Sequence, residues 1–160
     1  MKVLVTGAAG FIGFFTAARF LSRGDEVVGL DNLNDYYDVS LKNARLEQLQ
    51  RRPGFRFVRM DIADTEQIRK LFETEQFERV VHLGAQAGVR YSIQDPHSYI
   101  RSNVLGTLNV LEGCRHQGVQ HLVYARPVPF MARARACRSR CTSLHRIRCR
   151  CTLPASAPPS

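Results

Sequence analysis

The sequence predicts an α/β fold, a doubly wound parallel sheet of strand order 3-2-1-4-5, truncated after its fifth strand. Three observations predict it. Short runs rich in β-branched residues alternate with segments of helical periodicity. The runs are nearly continuous in Val, Leu and Ile, as in strands covered on both faces. A glycine-rich turn joins the first run to the first helix, and an acidic residue follows the second run.

Each element carries its own signal. Lys2–Thr6 (KVLVT) is the first strand. A helix follows from Phe11 to Ser22, with Phe11, Phe14, Phe15, Ala18 and Leu21 at helical spacing. Gly24-Asp25 ends it, and Glu26–Leu30 (EVVGL) is the second strand. The polar loop DNLNDYYD leads to a helix over Val39–Gln50, which Pro53-Gly54 stops before a third strand, Phe55–Met60. Asp64 or Thr65 N-caps a helix reaching Glu75. Arg79–Leu83 (RVVHL) is the fourth strand. Pro96 opens a long helix with Ile100, Val104, Leu108 and Leu111 on one side. Gly118 closes it, and His121–Tyr124 begins the fifth strand. Right-handed crossovers place a ligand site at the strand carboxyl ends, beside the switch point between strands 1 and 4.

With 160 residues, 44% hydrophobic and 23% charged, the chain has room for one globular domain. No apolar run is long enough for a membrane span. Thr6, the spaced glycines and Arg19 and Arg23 break the pattern of a signal peptide. Cys114, the one cysteine before residue 126, suits a reducing compartment, so the expected location is the cytoplasm. The net charge of +9 conceals a boundary. All 14 acidic residues and all 11 glycines lie in 1–125, whereas 126–160 hold eight arginines and four of the 5 cysteines. Residues 1–125 read as a partial nucleotide-binding domain, and 126–160 as a disordered Arg/Cys/Pro-rich tail.

Gly7-Ala8-Ala9-Gly10-Phe11-Ile12-Gly13 is a GxxGxxG loop between strand and helix. Gly7 permits a tight turn, Gly10 lets a pyrophosphate approach the backbone, and Gly13 allows close helix packing. The helix N-terminus offers free N–H groups to the phosphates. Asp31, after the second strand, is placed to bind both ribose hydroxyls of adenosine, and its charge opposes a 2′-phosphate. The pair points to NAD. Asp61 and Ile62 border the adenine position, though a helix-capping loop explains them nearly as well.

These segments identify a resemblance. VTGAAGFIG (5–13), LDNLNDYYDVSLK (30–42), HLGAQAGVRYS (82–92) and NVLGTLNVLE (103–112) resemble the extended short-chain dehydrogenase/reductase family, specifically nucleotide-sugar epimerases of the UDP-glucuronate 4-epimerase type. HLVYA (121–125) resembles the start of the strand that carries the family's catalytic serines. Gly84 departs from the alanine usual in this branch. The resemblance implies that Gly7, Gly10, Phe11, Ile12 and Gly13 hold the pyrophosphate, and Asp31 and Asn32 the adenosine ribose. It implies Asp61 and Ile62 at the adenine, Leu83, Ala85 and Gln86 along the cofactor channel, and Asn103 nearby. Asn103 equally reads as a satisfied core polar residue. Arg90, beside Ser92, is a candidate contact for the sugar carboxylate and equally a surface arginine. The implied chemistry is transient oxidation of a UDP-sugar at C4 by NAD, with a tyrosine as base and a lysine lowering its pKa. The resemblance also implies a homodimer for the parent protein, and no nucleic-acid or membrane partner.

At Arg126 the pattern stops. No Tyr follows Tyr124 and no Lys follows Lys70, so the family's Y-x-x-x-K pair is absent and no catalytic residue is assigned. Cys137, Cys141, His145, Cys149 and Cys151 give C-x3-C-x3-H-x3-C-x-C, a spacing open to zinc. The arginines are open to nucleic acid. A non-enzymatic NAD-binding module with such a tail is therefore the alternative. A frameshift after Ala125 explains more. Reading the last base of each codon with the first two of the next, Arg126–Ala132 can encode S-S-S-V-Y-G, and Arg148–Ala157 can encode V-S-L-Y-A-A-S-K. The second segment contains the missing Y-x-x-x-K. The chain as written is expected to be inactive.

Overall fold

The computed structural model describes residues 1–88 and 90–125. The tail 126–160, with its zinc-like spacing, lies outside the described residues.

Five strands form one parallel sheet: β1 (Lys2–Thr6), β2 (Glu26–Asp31), β3 (Phe55–Arg59), β4 (Arg79–His82) and β5 (His121–Tyr124). Their order is β3-β2-β1-β4-β5, the order the sequence predicts. The strand boundaries differ from the predicted ones by a residue: β2 runs on to Asp31, β3 stops at Arg59 and β4 at His82.

The helices are α1 (Phe11–Leu21), α2 (Val39–Gln50), α3 (Thr65–Glu75), α4 (Tyr91–Gln94), α5 (Pro96–Ile100) and α6 (Thr107–His116). A π-helical turn, Arg101–Gly106, joins α5 to α6. Asp64 caps α3 through the Gln67 N–H at 3.0 Å, and Asp95 caps α5 through the Ser98 N–H at 3.0 Å. Alternation along each strand splits the core into two layers. Val3, Val5, Val27 and Val81 face Phe14, Ala17 and Leu49 of α1 and α2. Leu4, Val28, Val80 and Leu122 face Ile68, Phe72 and Val110 of α3 and α6.

The long helix expected after Pro96 is thus three helical pieces, and its apolar stripe faces outward. Ile100, Val104, Leu108 and Leu111 are exposed, while Asn109, Val110, Gly113 and Cys114 are buried. The reason is steric. A Cβ on Gly113 would lie 2.6 Å from the Phe72 ring, so only a small-residue face of α6 can come this close to α3. Among the described residues no helix is long and apolar enough to cross a membrane.

Candidate functional site

β1, β2 and β4 end together, with Thr6 opposite both Leu30 and His82. This is the switch point of the sheet. Gly7 turns the chain there with φ +69°, and its N–H donates to the Leu30 carbonyl at 2.7 Å. The helix folds back tightly: a Cβ on Gly13 would lie 1.9 Å from the Gly7 carbonyl oxygen. Gly13 therefore packs α1 against its own entry loop. No side chain caps α1 at Gly10, so its first N–H groups stay open to an anion. The side chains of Phe11 and Ile12 are exposed, which leaves their backbone as the part directed to that anion.

Asp31 is buried beside this turn. One carboxylate oxygen accepts from the Ala9 N–H at 3.1 Å, the other from the Leu33 N–H at 2.9 Å. Each oxygen keeps further acceptor capacity. Asn32 uses its side-chain oxygen to accept from the Asn34 N–H at 3.1 Å, which helps hold the loop in a turn. Leu33, at φ 55°, sits in the left-handed region at the centre of that turn.

A cleft opens between this loop and the loop after β4. Gly7, Gly10, Asp31, Asn32, Ile62, Leu83, Ala85 and Gln86 of the predicted set line it. Leu30, Asn34, Tyr36, Tyr37, Lys42, Met60 and Ser102 line it too, and none of these had been assigned to the site from sequence. Asp61 borders an adjoining recess instead, where it accepts from the Ala63 N–H at 2.9 Å and lies 3.6 Å from the Arg101 guanidinium. Asn103 is not among the lining residues but clamps one of them: its side-chain oxygen accepts from the Gln86 N–H at 2.8 Å and its amide donates to the Gln86 carbonyl at 3.0 Å. Across the cleft the Asn34 amide donates to the Gln86 side-chain oxygen at 3.3 Å. Tyr36 stacks edge-on against Tyr91, 5.1 Å between ring centres. Arg90 is exposed, and Ser92 is half-buried with its N–H on the Gly88 carbonyl at 3.3 Å.

Lys42 carries no binding motif, and a lysine in a largely polar helix reads as a solvated one. It is instead buried, donating to the Asn34 carbonyl at 2.8 Å and its side-chain oxygen at 2.6 Å. The Tyr37 ring lies 4.6 Å from its ammonium and Asp31 3.9 Å. Burial pushes its pKa down, against the Asp31 and Asp35 carboxylates, which push it up.

Thr6 and His82 form the base of the switch point. The buried Thr6 hydroxyl oxygen accepts from the Leu83 N–H at 3.0 Å and the Gly84 N–H at 2.9 Å. Both lone pairs are then in use, so its O–H donates to His82 Nδ1, 2.8 Å away. His82 is therefore neutral with its proton on Nε2, which donates to Thr107 Oγ1 at 3.2 Å. Burial independently lowers the His82 pKa to about 4.

A family profile described as GDP-mannose 4,6 dehydratase matches residues 4–126. A UDP-glucuronate 4-epimerase of Arabidopsis thaliana is 55% identical over 115 residues, 72% of this chain and 26% of that protein. An uncharacterized 37.6 kDa Escherichia coli O111:H- protein is 58% identical over 125 residues, 78% of this chain and 37% of its own length. Among solved structures, a variant of the Bacillus cereus UDP-glucuronic acid 4-epimerase in complex with UDP-4-deoxy-4-fluoro-glucuronic acid and NAD aligns at 35% identity. Its TM-score is 0.71, over 78% of this chain and 39% of that one. The Thermus thermophilus UDP-glucose 4-epimerase complex with NAD aligns with a TM-score of 0.67 at 38% identity, over 84% and 42%. The chain thus spans 26% to 42% of the length of these relatives.

Proposed function

The chain belongs to the NAD-dependent epimerase/dehydratase family, and from that premise we propose that residues 1–125 are the N-terminal, NAD-binding part of a UDP-sugar 4-epimerase of the glucuronate type. The observation that carries this reading is the meeting of the Gly7 turn, the uncapped start of α1 and the Asp31 carboxylate at one switch point. The residues fit NAD: Gly13 leaves no room for a side chain, and Asp31 retains acceptor capacity toward a ribose. When bound, NAD supplies a reversible hydride acceptor.

In this reading the backbone N–H groups of Phe11, Ile12 and Gly13 take the pyrophosphate, with Gly7 and Gly10 allowing it close. Asp31 and Asn32 take the adenosine ribose, and Ile62 and Asp61 flank the adenine. Leu83, Ala85 and Gln86 line the channel, and Asn103 fixes Gln86. Arg90 and Ser92 await the sugar carboxylate.

The domain ends at residue 125 in this reading, and 126–160 is off-frame translation. The family match covers residues 4–126, and from Arg126 onward the shifted frame can encode family sequence. The chain as written then lacks the catalytic Tyr and Lys and is inactive. The test is to express the gene as it stands and with one base restored after the Ala125 codon, and to assay both with UDP-glucuronate. The restored protein should epimerise it and the chain as written should not. Turnover by the chain as written, or a restored frame that closes quickly, would overturn the reading.

A further inference from the structure

Lys42 is the buried cation of the cleft, and its hydrogen bonding is incomplete. An ammonium carries three N–H donors. Two are satisfied by Asn34 at 2.8 and 2.6 Å. Among the described residues no acceptor takes the third: Asp31 Oδ1, 3.9 Å away, is an ion-pair partner beyond hydrogen-bond reach. Lys42 lines the cleft together with Asp31, the ammonium and the carboxylate side by side on its wall.

A vicinal diol needs more than a carboxylate. Each ribose hydroxyl both donates and accepts, whereas an ionised Asp31 only accepts. A diol held by Asp31 alone would leave its own lone pairs unmet in a site removed from bulk water, which costs free energy.

We propose that Lys42 is a ligand-contacting residue of the nucleotide site, donating its third N–H to one adenosine ribose hydroxyl while Asp31 accepts from the diol. This rests on the cofactor reading above and adds a donor that the sequence had not assigned. Lys42 thereby joins the β2–α2 loop to the ligand. The line Lys42–Asn34–Gln86–Asn103 carries the grip across the cleft to the β4 loop. The same cation has a second consequence. It offsets part of the repulsion between Asp31 and a 2′-phosphate, so the exclusion of a 2′-phosphorylated nucleotide is weaker than Asp31 alone would give.

The test uses the whole chain and ADP, 2′-deoxy-ADP and 3′-deoxy-ADP as probes, titrated by calorimetry against wild type and Lys42→Met. Wild type should bind ADP more tightly than at least one deoxy analogue. In Lys42→Met, affinity for ADP should fall about ten-fold, in the range of a charge-assisted hydrogen bond, and discrimination against that analogue should shrink or vanish. Unchanged discrimination in a folded Lys42→Met overturns the role of Lys42 and leaves the cofactor reading standing. No saturable ADP binding by wild type overturns the cofactor reading and the proposal with it. A second measurement needs no substitution. The ¹H–¹⁵N resonance of the Lys42 ammonium in wild type should shift with ADP and shift less with the analogue that lacks its hydroxyl. A resonance that ADP leaves in place refutes the contact even if Lys42→Met does not fold.

Discussion

Replacing Thr6 by Val tests whether a single hydroxyl joins the carboxyl ends of β1 and β4. Thr6 is completely buried, and valine has nearly its shape, so packing is preserved. Three groups lose their partner: the Leu83 N–H, the Gly84 N–H and His82 Nδ1. A buried polar group left unpaired costs about 1–3 kcal/mol. Leu83 and Gly84 are only half-buried and recover part of this from water, so the sum is about 3–5 kcal/mol. That is a large share of the roughly 5–15 kcal/mol that stabilises a domain. Thr6→Ser is the control. It keeps the hydroxyl and removes one methyl, at about 1 kcal/mol. Urea unfolding followed by far-UV circular dichroism measures both, compared at constant m-value. The expected gap between the two variants is at least about 2 kcal/mol. A Thr6→Val protein within about 0.5 kcal/mol of Thr6→Ser would refute the hydrogen-bond count and the His82 tautomer deduced from it.

Further outcomes follow from the same geometry. The His82 pKa lies at about 4 in the folded chain against 6.5 in the unfolded one, so the unfolded chain binds more protons in between. Its contribution is complete above pH 6.5 and is lost as pH falls toward about 4, by roughly 3 kcal/mol, a loss absent from a folded His82→Gln protein in the same urea series. Gly13→Ala drives a Cβ to 1.9 Å from the Gly7 carbonyl oxygen, and should lower the urea midpoint by about 1–3 kcal/mol equivalent or more while weakening ADP binding. Asp31→Asn brings an amide donor toward the N–H groups of Ala9 and Leu33, and should cost about 1–3 kcal/mol and at least about ten-fold in ADP affinity by calorimetry. Asn103→Leu removes the clamp on Gln86, and hydrogen exchange at the Gln86 amide should speed up while strand amides keep their protection.

The fold was legible because its signals are local and repeated. Each strand is a short β-branched run, each crossover has room for a helix, and the handedness rule leaves few topologies. The glycine loop was legible for the same reason, since turn, close approach and packing each demand a missing side chain at a fixed offset. What stayed hidden depends on partners distant in sequence. The long helix showed its period, but the period does not say which face meets the sheet; Phe72, forty-one residues before Gly113, decides that by leaving space only for small residues.

Lys42 shows the limit from the other side. Its charge argues for solvent, while its place four and seven residues before the buried Leu46 and Leu49 puts it on the inner face of its helix. What buries it is the loop that precedes it. Asn32 and Leu33 turn the chain so that both Asn34 oxygens converge on the ammonium, while Asp31 supplies the opposite charge. The loop in turn depends on the lysine. Without that cation, the Asn34 carbonyl and side-chain oxygen would share a buried pocket with the Asp31 carboxylate and nothing positive between them. The segment DNLNDYYDVSLK therefore acts as one unit, its acidic end and its lysine spaced by one loop and the first turn of a helix. A sequence reading that stops at the acid sees half of it.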